Sequence, residues 1–102
     1  MLEAIGRIQQ YTAGLTSETF AANGLVVDAV VRNFMVIGEA ARYVPPEVQA
    51  HSAEVPWAKM RSMRNIVVHA YFEVDTGILW ETLQHDLPPL VPRLRAVLER
   101  ER

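Results

Sequence analysis

Residues 25–44 read LVVDAVVRNFMVIGEAARYV, and the spacing of their apolar side chains decides the fold. Leu25, Val26, Val30, Val31, Phe34, Met35, Ile37, Ala40 and Ala41 fall on nearly every side of a 3.6-residue helix. A helix that is apolar nearly all round is either the centre of a bundle or shared with a partner subunit. The β-branched residues would also permit strands, but the length of the stretch and the absence of turn signals inside it favour a helix, with Gly38 its weak point. Asn23 and Gly24 interrupt the chain before it. Pro45 and Pro46 stop it, because proline has no amide donor and pushes the preceding residue out of the helical region.

Towards the N-terminus, Leu2, Ile5 and Ile8 recur at every third position, which predicts a one-faced helix over 2–11 ended by Gly14. Ser17 is the expected cap of a short turn through Glu18, Thr19 and Phe20. Towards the C-terminus, a turn through Val48 and a polar connector over 51–55 lead to Pro56, a residue suited to a first helical turn. The helix that follows carries Trp57, Met60, Arg64, Val67 and Val68 at spacings of three and four, which puts Arg64 on or beside an apolar face. Asp75 caps a helix over 76–87 whose face is Leu79, Leu83 and Leu87, with Trp80 beside it. Pro88 and Pro89 are expected to break or bend the chain before a last helix over 90–99, with Leu94 at its centre and a charged tail behind it. Nothing alternates with period two, so the class is all-α: an antiparallel bundle of four to five helices in a single domain over 1–102.

The chain has 102 residues, half of them apolar, which is enough for one core and too few for two. Ten Lys or Arg against twelve Asp or Glu give a formal charge of −2, so no bulk positive field surrounds the molecule and any contact with nucleic acid must be local. The absence of cysteine removes disulfides, thiol nucleophiles and thiolate metal sites, and fits a cytoplasmic protein. The N-terminal residues lack the pattern of a signal peptide, and Asp28, Arg32, Asn33 and Glu39 interrupt every stretch that would otherwise suit a membrane span.

The chemistry concentrates in Arg64, Asn65, Ile66, Val67, Val68, His69, Ala70 and Tyr71. Arg64 is a permanent, forked cation, and His69 holds or releases a proton near neutral pH, a pairing suited to phosphate chemistry. Five residues at about 100° each set their side chains roughly 140° apart on an ideal helix, so they are not same-face neighbours. Either the helix ends or distorts near His69, or the two groups converge across a two-fold interface to which each subunit brings a copy. The structural alternative is that Arg64 pairs with an acid such as Glu39 or Asp75, while His69 and Tyr71 serve packing. Arg32 and Glu39, seven apart on the long helix, share a face and can pair with each other, position Arg64 or form a helix-to-helix salt bridge. Lys59, Arg61, Arg42 and Arg32 are candidates for a local basic rim. His51 and His85 have no ligand partners at helical spacing, so no metal is expected, and no glycine-rich phosphate loop or Ser or Cys triad occurs.

The Arg-x4-His-x-Tyr segment, Arg64 to Tyr71, resembles the signature of the HEPN superfamily in the form shown by HepT toxins of toxin–antitoxin pairs. The likeness extends outward. Arg32, Asn33, Ile37, Gly38, Glu39 and Ala40 resemble an Arg-Asn-x-x-x-Ile-Gly-Glu-Ala segment of HepT-like proteins. Val55, Pro56 and Trp57 resemble their helix start, and Asp86, Leu87 and Pro88 their closing Asp-Leu-Pro, so the match runs in order from about Thr16 to Leu94. Two departures are visible: Ala70 stands where the family often has Asp, and the family's Asp-rich lead-in to the first helix is missing.

The resemblance implies an all-α homodimer that cuts RNA without a metal or other cofactor, with two copies of the motif meeting in a cleft. In that setting His69 transfers protons, Arg64 binds the phosphoryl oxygens, Asn65 orients either group or the RNA, and Tyr71 donates a hydrogen bond or stacks on a base. Arg32 and Glu39 are supporting residues. The resemblance further implies a small nucleotidyltransferase antitoxin that binds the toxin and attaches AMP to Tyr71. The competing expectation is a non-catalytic helical subunit that binds such a nucleotidyltransferase.

Overall fold

The computed structural model describes residues 1–73 and 75–101, with the side chains of residues 69–73 outside the described set. Every described element is helical: α1 Leu2–Thr12, α2 Ser17–Ala21, α3 Gly24–Arg42, α4 Pro46–His51, α5 Trp57–Arg61, α6 Met63–Glu73, α7 Thr76–Glu81, a π-helical turn Thr82–Asp86, and α8 Leu87–Arg100. The all-α class expected from the sequence is the one observed. None of the described helices is long and apolar enough to cross a membrane.

α3 begins where the sequence places it, with the Asn23 side chain accepting from the Val26 amide at 3.2 Å. Its inward row, Val30, Phe34, Ile37 and Ala41, is fully buried at spacings of four and three. That row packs against α1 through Ile5 and Ile8 and against the α5–α6 pair through Met60 and Met63. Leu79, Leu83, Leu87, Leu90 and Leu94, from α7 to α8, complete the core. The molecule measures 41 × 26 × 17 Å. With helix axes packing about 8–10 Å apart, the short dimension holds two layers of helices, so α3 is covered on one side only. Its other side leaves Leu25 84% exposed, Met35 45% and Val36 44%.

Three local expectations change. Thr16, not Ser17, caps α2: its hydroxyl accepts from the Thr19 amide, and the Thr19 hydroxyl accepts from the Thr16 amide, a reciprocal box that satisfies two amides at once. The single helix expected after Pro56 is two, because the Ser62 hydroxyl donates to the Lys59 carbonyl at 2.7 Å and Ser62 closes α5 before α6 starts. Pro88 and Pro89 do not break the chain. Their missing amides cannot meet the carbonyls of Gln84 and His85, and the helix widens by one residue, so that the Leu87 amide reaches back five residues to the Thr82 carbonyl. The chain therefore runs from Thr76 to Arg100 as one column with a π turn inside it.

The end of that column is tied to the connector ahead of α5. Arg100 donates to the buried Ser52 hydroxyl at 2.8 Å and pairs with Glu54, while the Trp57 indole donates to the Ser52 carbonyl at 3.0 Å. These contacts fix the start of α5, and through it the entry of α6.

Candidate functional site

The site is built where α3 and the start of α6 come together. Gly38 permits the approach: a Cβ at this position would stand 3.0 Å from Arg64 Cγ, 3.3 Å from the Arg64 backbone nitrogen and 3.5 Å from the Arg61 carbonyl oxygen. The glycine that looks like a weak point in a helix is a contact surface. The next residue, Glu39, uses that proximity, and its Oε1 lies 2.5 Å from Arg64 Nη1.

The Arg64 and Glu39 side chains are 49% and 39% exposed. An ion pair so open to water is worth about 0–1 kcal/mol, so its consequence is mainly geometric: it fixes the direction of the guanidinium. Glu39 is therefore a helix-to-helix partner of Arg64, not the partner of Arg32 on its own helix. Asp75, the other acid expected to reach Arg64, caps α7 by accepting from the Ile78 amide at 3.3 Å. Arg32 stays exposed on the open face of α3, and among the described residues it has no ion-pair partner.

In front of Arg64 opens a groove of about 240 Å³ lined by Gly38, Arg42, Arg61, Arg64, Asn65 and Val68. Asn65 stands at its edge, exposed, its amide donating to the Ser62 carbonyl at 2.9 Å as the first turn of α6 closes. Of the four candidates for a basic rim, Arg42 and Arg61 line the groove. Lys59 turns away to Asp86 at 3.0 Å, and Arg32 is not among the lining residues. Gln49 gives no warning of its part in the sequence. Its Oε1 accepts from Arg61 Nη1 at 2.9 Å, while its Nε2 donates to the Val44 carbonyl at 2.9 Å.

The side chains of His69 and Tyr71 lie outside the described residues. The backbone of α6 is helical from Met63 to Glu73, so the helix does not end at His69.

Elsewhere the chemistry is sparse. His51 and His85 are exposed, and His85 Nε2 lies 3.2 Å from Glu81 Oε2 one helical turn away. Among the described residues, no three His, Cys, Asp or Glu side chains gather closely enough to hold a metal ion. A largely apolar cavity of about 380 Å³ between Val44, Val48, Trp57, Leu94 and Val97 also has Met1, Glu3 and Glu101 on its lining. That lining offers no side-chain cation to a phosphate, so the cavity does not compete with the Arg64 groove.

A family model described as "Ribonuclease HepT-like" matches residues 1–97. Among curated proteins, the chain is 38% identical over 88 residues to the "Probable ribonuclease HepT" of Thermococcus cleftensis, covering 86% of this chain and 80% of that one. It is 33% identical over 89 residues to a "Putative RNase" of Caldanaerobacter subterraneus, covering 87% and 80%. It is also 34% identical over 99 residues to a Methanocaldococcus jannaschii protein named "Gamma-glutamylcyclotransferase and putative RNase", covering 97% of this chain and 45% of that one. The chain thus spans under half the length of this last relative. No solved structure matches it.

Proposed function

The chain belongs to the ribonuclease HepT-like family, and we propose that it is a metal-independent endoribonuclease of a toxin–antitoxin pair, with Arg64 and His69 as its catalytic residues. The observation that carries this reading is the Arg64 guanidinium, held by Glu39 at the mouth of a groove with Asn65 beside it. RNA contains its own nucleophile. The protein need only take the proton from the ribose 2′-hydroxyl, offset the charge that grows on the phosphoryl oxygens, and return a proton to the departing 5′-oxygen. The bond from O2′ to phosphorus forms, the bond from phosphorus to O5′ breaks, and a 2′,3′-cyclic phosphate remains.

His69 moves the proton, the histidine side chain being the one suited to proton transfer near neutral pH. Arg64 contacts the non-bridging oxygens through its fork. Tyr71 is the acceptor of AMP from a cognate nucleotidyltransferase antitoxin, and the added phosphate and bulk oppose RNA by charge and by size. The functional unit is a two-fold homodimer closed over the open side of α3. Leu25, Met35, Val36 and Val68 supply the apolar surface for it, and the two grooves meet at its edge.

The test is cleavage of RNA by the purified chain in EDTA, with the product ends mapped. His69→Ala and Arg64→Ala are each expected to slow cleavage by about 10²-fold or more without unfolding the protein. Activity lost on chelation, or products ending in a 5′-phosphate, would replace the ribose hydroxyl with an activated water and end the proposal.

A further inference from the structure

The Arg64 groove holds more positive charge than the reaction at one phosphate requires. Three guanidiniums line it, from Arg42, Arg61 and Arg64, and the carboxylate paired among them is Glu39 on Arg64. Arg61 is held by the neutral Gln49 amide, itself anchored on the Val44 carbonyl. Arg42 lies with its guanidinium carbon 5.7 Å from the centre of the Tyr43 ring, also neutral. Among the described residues neither Arg42 nor Arg61 pairs with an acid. Among the described residues, two positive charges are thus left without a carboxylate partner in one groove of a chain whose formal net charge is −2. Arginines steadied by neutral partners keep their charge and their geometry available to an incoming anion.

Resting on the ribonuclease reading above, we infer that Arg42 and Arg61 form a second phosphate subsite, which takes the phosphodiester next to the one cleaved at Arg64 and so favours single-stranded RNA of at least three nucleotides over a dinucleoside monophosphate. One groove is lined by Arg42 from α3, Arg61 from α5 and Arg64 from α6, so three helices bring guanidiniums to a single strand-binding surface. Tyr43 is 73% exposed beside Arg42, and its ring offers a stacking face for the base attached to that second phosphate. Arg42 and Arg61 are positioning residues. They act on where the strand lies, and the bonds that form and break remain with Arg64 and His69.

The experiment compares Arg42→Gln and Arg61→Gln with the unaltered chain on two substrates, a dinucleoside monophosphate with one phosphodiester and a trinucleotide with two. Binding of a non-cleavable 2′-deoxy-substituted oligonucleotide is measured alongside over a range of salt. On the trinucleotide each variant should raise KM by about tenfold with kcat little changed, and on the dinucleoside monophosphate it should change neither. The salt dependence of oligonucleotide binding should fall by about 0.7 in log–log slope for each arginine removed, as one phosphate contact is lost. Arg7→Gln, whose arginine pairs with Glu3 on α1, is the control and should leave all of these unchanged. If the unaltered chain cuts both substrates and the variants match it on both, the subsite is overturned while the ribonuclease reading stands. If the unaltered chain neither binds nor cuts RNA, both fall together.

Discussion

Gly38→Ala is the most informative single substitution in this protein, because helix propensity and packing pull it in opposite directions. In the interior of a helix, alanine is favoured over glycine by about 1 kcal/mol, so on propensity alone the variant should be more stable. The contact distances oppose that gain. The new Cβ would stand 3.0 Å from Arg64 Cγ and 3.3 Å from the Arg64 amide nitrogen, against an ordinary separation of about 3.5–4.0 Å. The Cγ can swing aside, but the nitrogen belongs to backbone, so α6 must move off α3 by some tenths of an ångström. Overpacking of this kind costs about 1–3 kcal/mol, which cancels or outweighs the propensity gain.

Gly6→Ala on α1 is the internal standard, since nothing lies within 4 Å of its Cβ, and it should stabilise by about 0.5–1 kcal/mol. Urea denaturation at one fixed protein concentration checks both variants, and a parallel cleavage assay checks the site. Gly6→Ala should keep full activity. Gly38→Ala should lose about tenfold, because a misplacement near 1 Å costs about 10²-fold and this one is smaller. A Gly38→Ala protein as stabilised as Gly6→Ala and fully active would refute the claim that this glycine sets the position of Arg64.

Val36→Arg, on the open side of α3, should convert the proposed dimer to monomer in light scattering at micromolar concentration, and an unaltered chain that is already monomeric would remove the shared cleft. Incubation with a cognate nucleotidyltransferase and ATP should add AMP to the chain and Tyr71→Phe should abolish the adduct in intact mass spectrometry; an adduct that persists would clear Tyr71 of the role. The Arg100 hydrogen bond holds the Glu54 carboxyl below its ordinary value of 4.5, with the charges of Arg100 and Arg93 adding to it. A depressed folded-state pKa means that the contribution is present above the unfolded value and fades as pH falls from about 4.5 through the lowered one. Glu54→Gln should therefore flatten the acid limb of a stability profile in that window and leave the neutral region unaffected by titration.

The α3 helix, its start after the Asn23–Gly24 interruption and its proline stop were legible because each rests on local chemistry: a turn signal, an amide count or a periodicity. Two of the three changed expectations show where that chemistry stops deciding. Thr16 and Ser17 both supply a hydroxyl, and the choice between them turns on whether Thr19 can answer with a second hydrogen bond, which only Thr16 allows. The π turn was unreadable because a Pro-Pro pair usually reads as a stop, whereas here the buried row Leu79, Leu83, Leu87 and Leu90 gains more from a continued column than the chain loses at two amides. At the site, the residue types were visible and their partners were not. Arg64 had two acids within plausible reach; Asp75 caps the first turn of α7, and Glu39 is the one that pairs with Arg64. Glu39 wins because Gly38 beside it has no side chain to keep α6 away. The glycine is therefore part of the arginine's site, though it carries no functional group, and its role depends on a helix-to-helix distance that no spacing along the chain encodes.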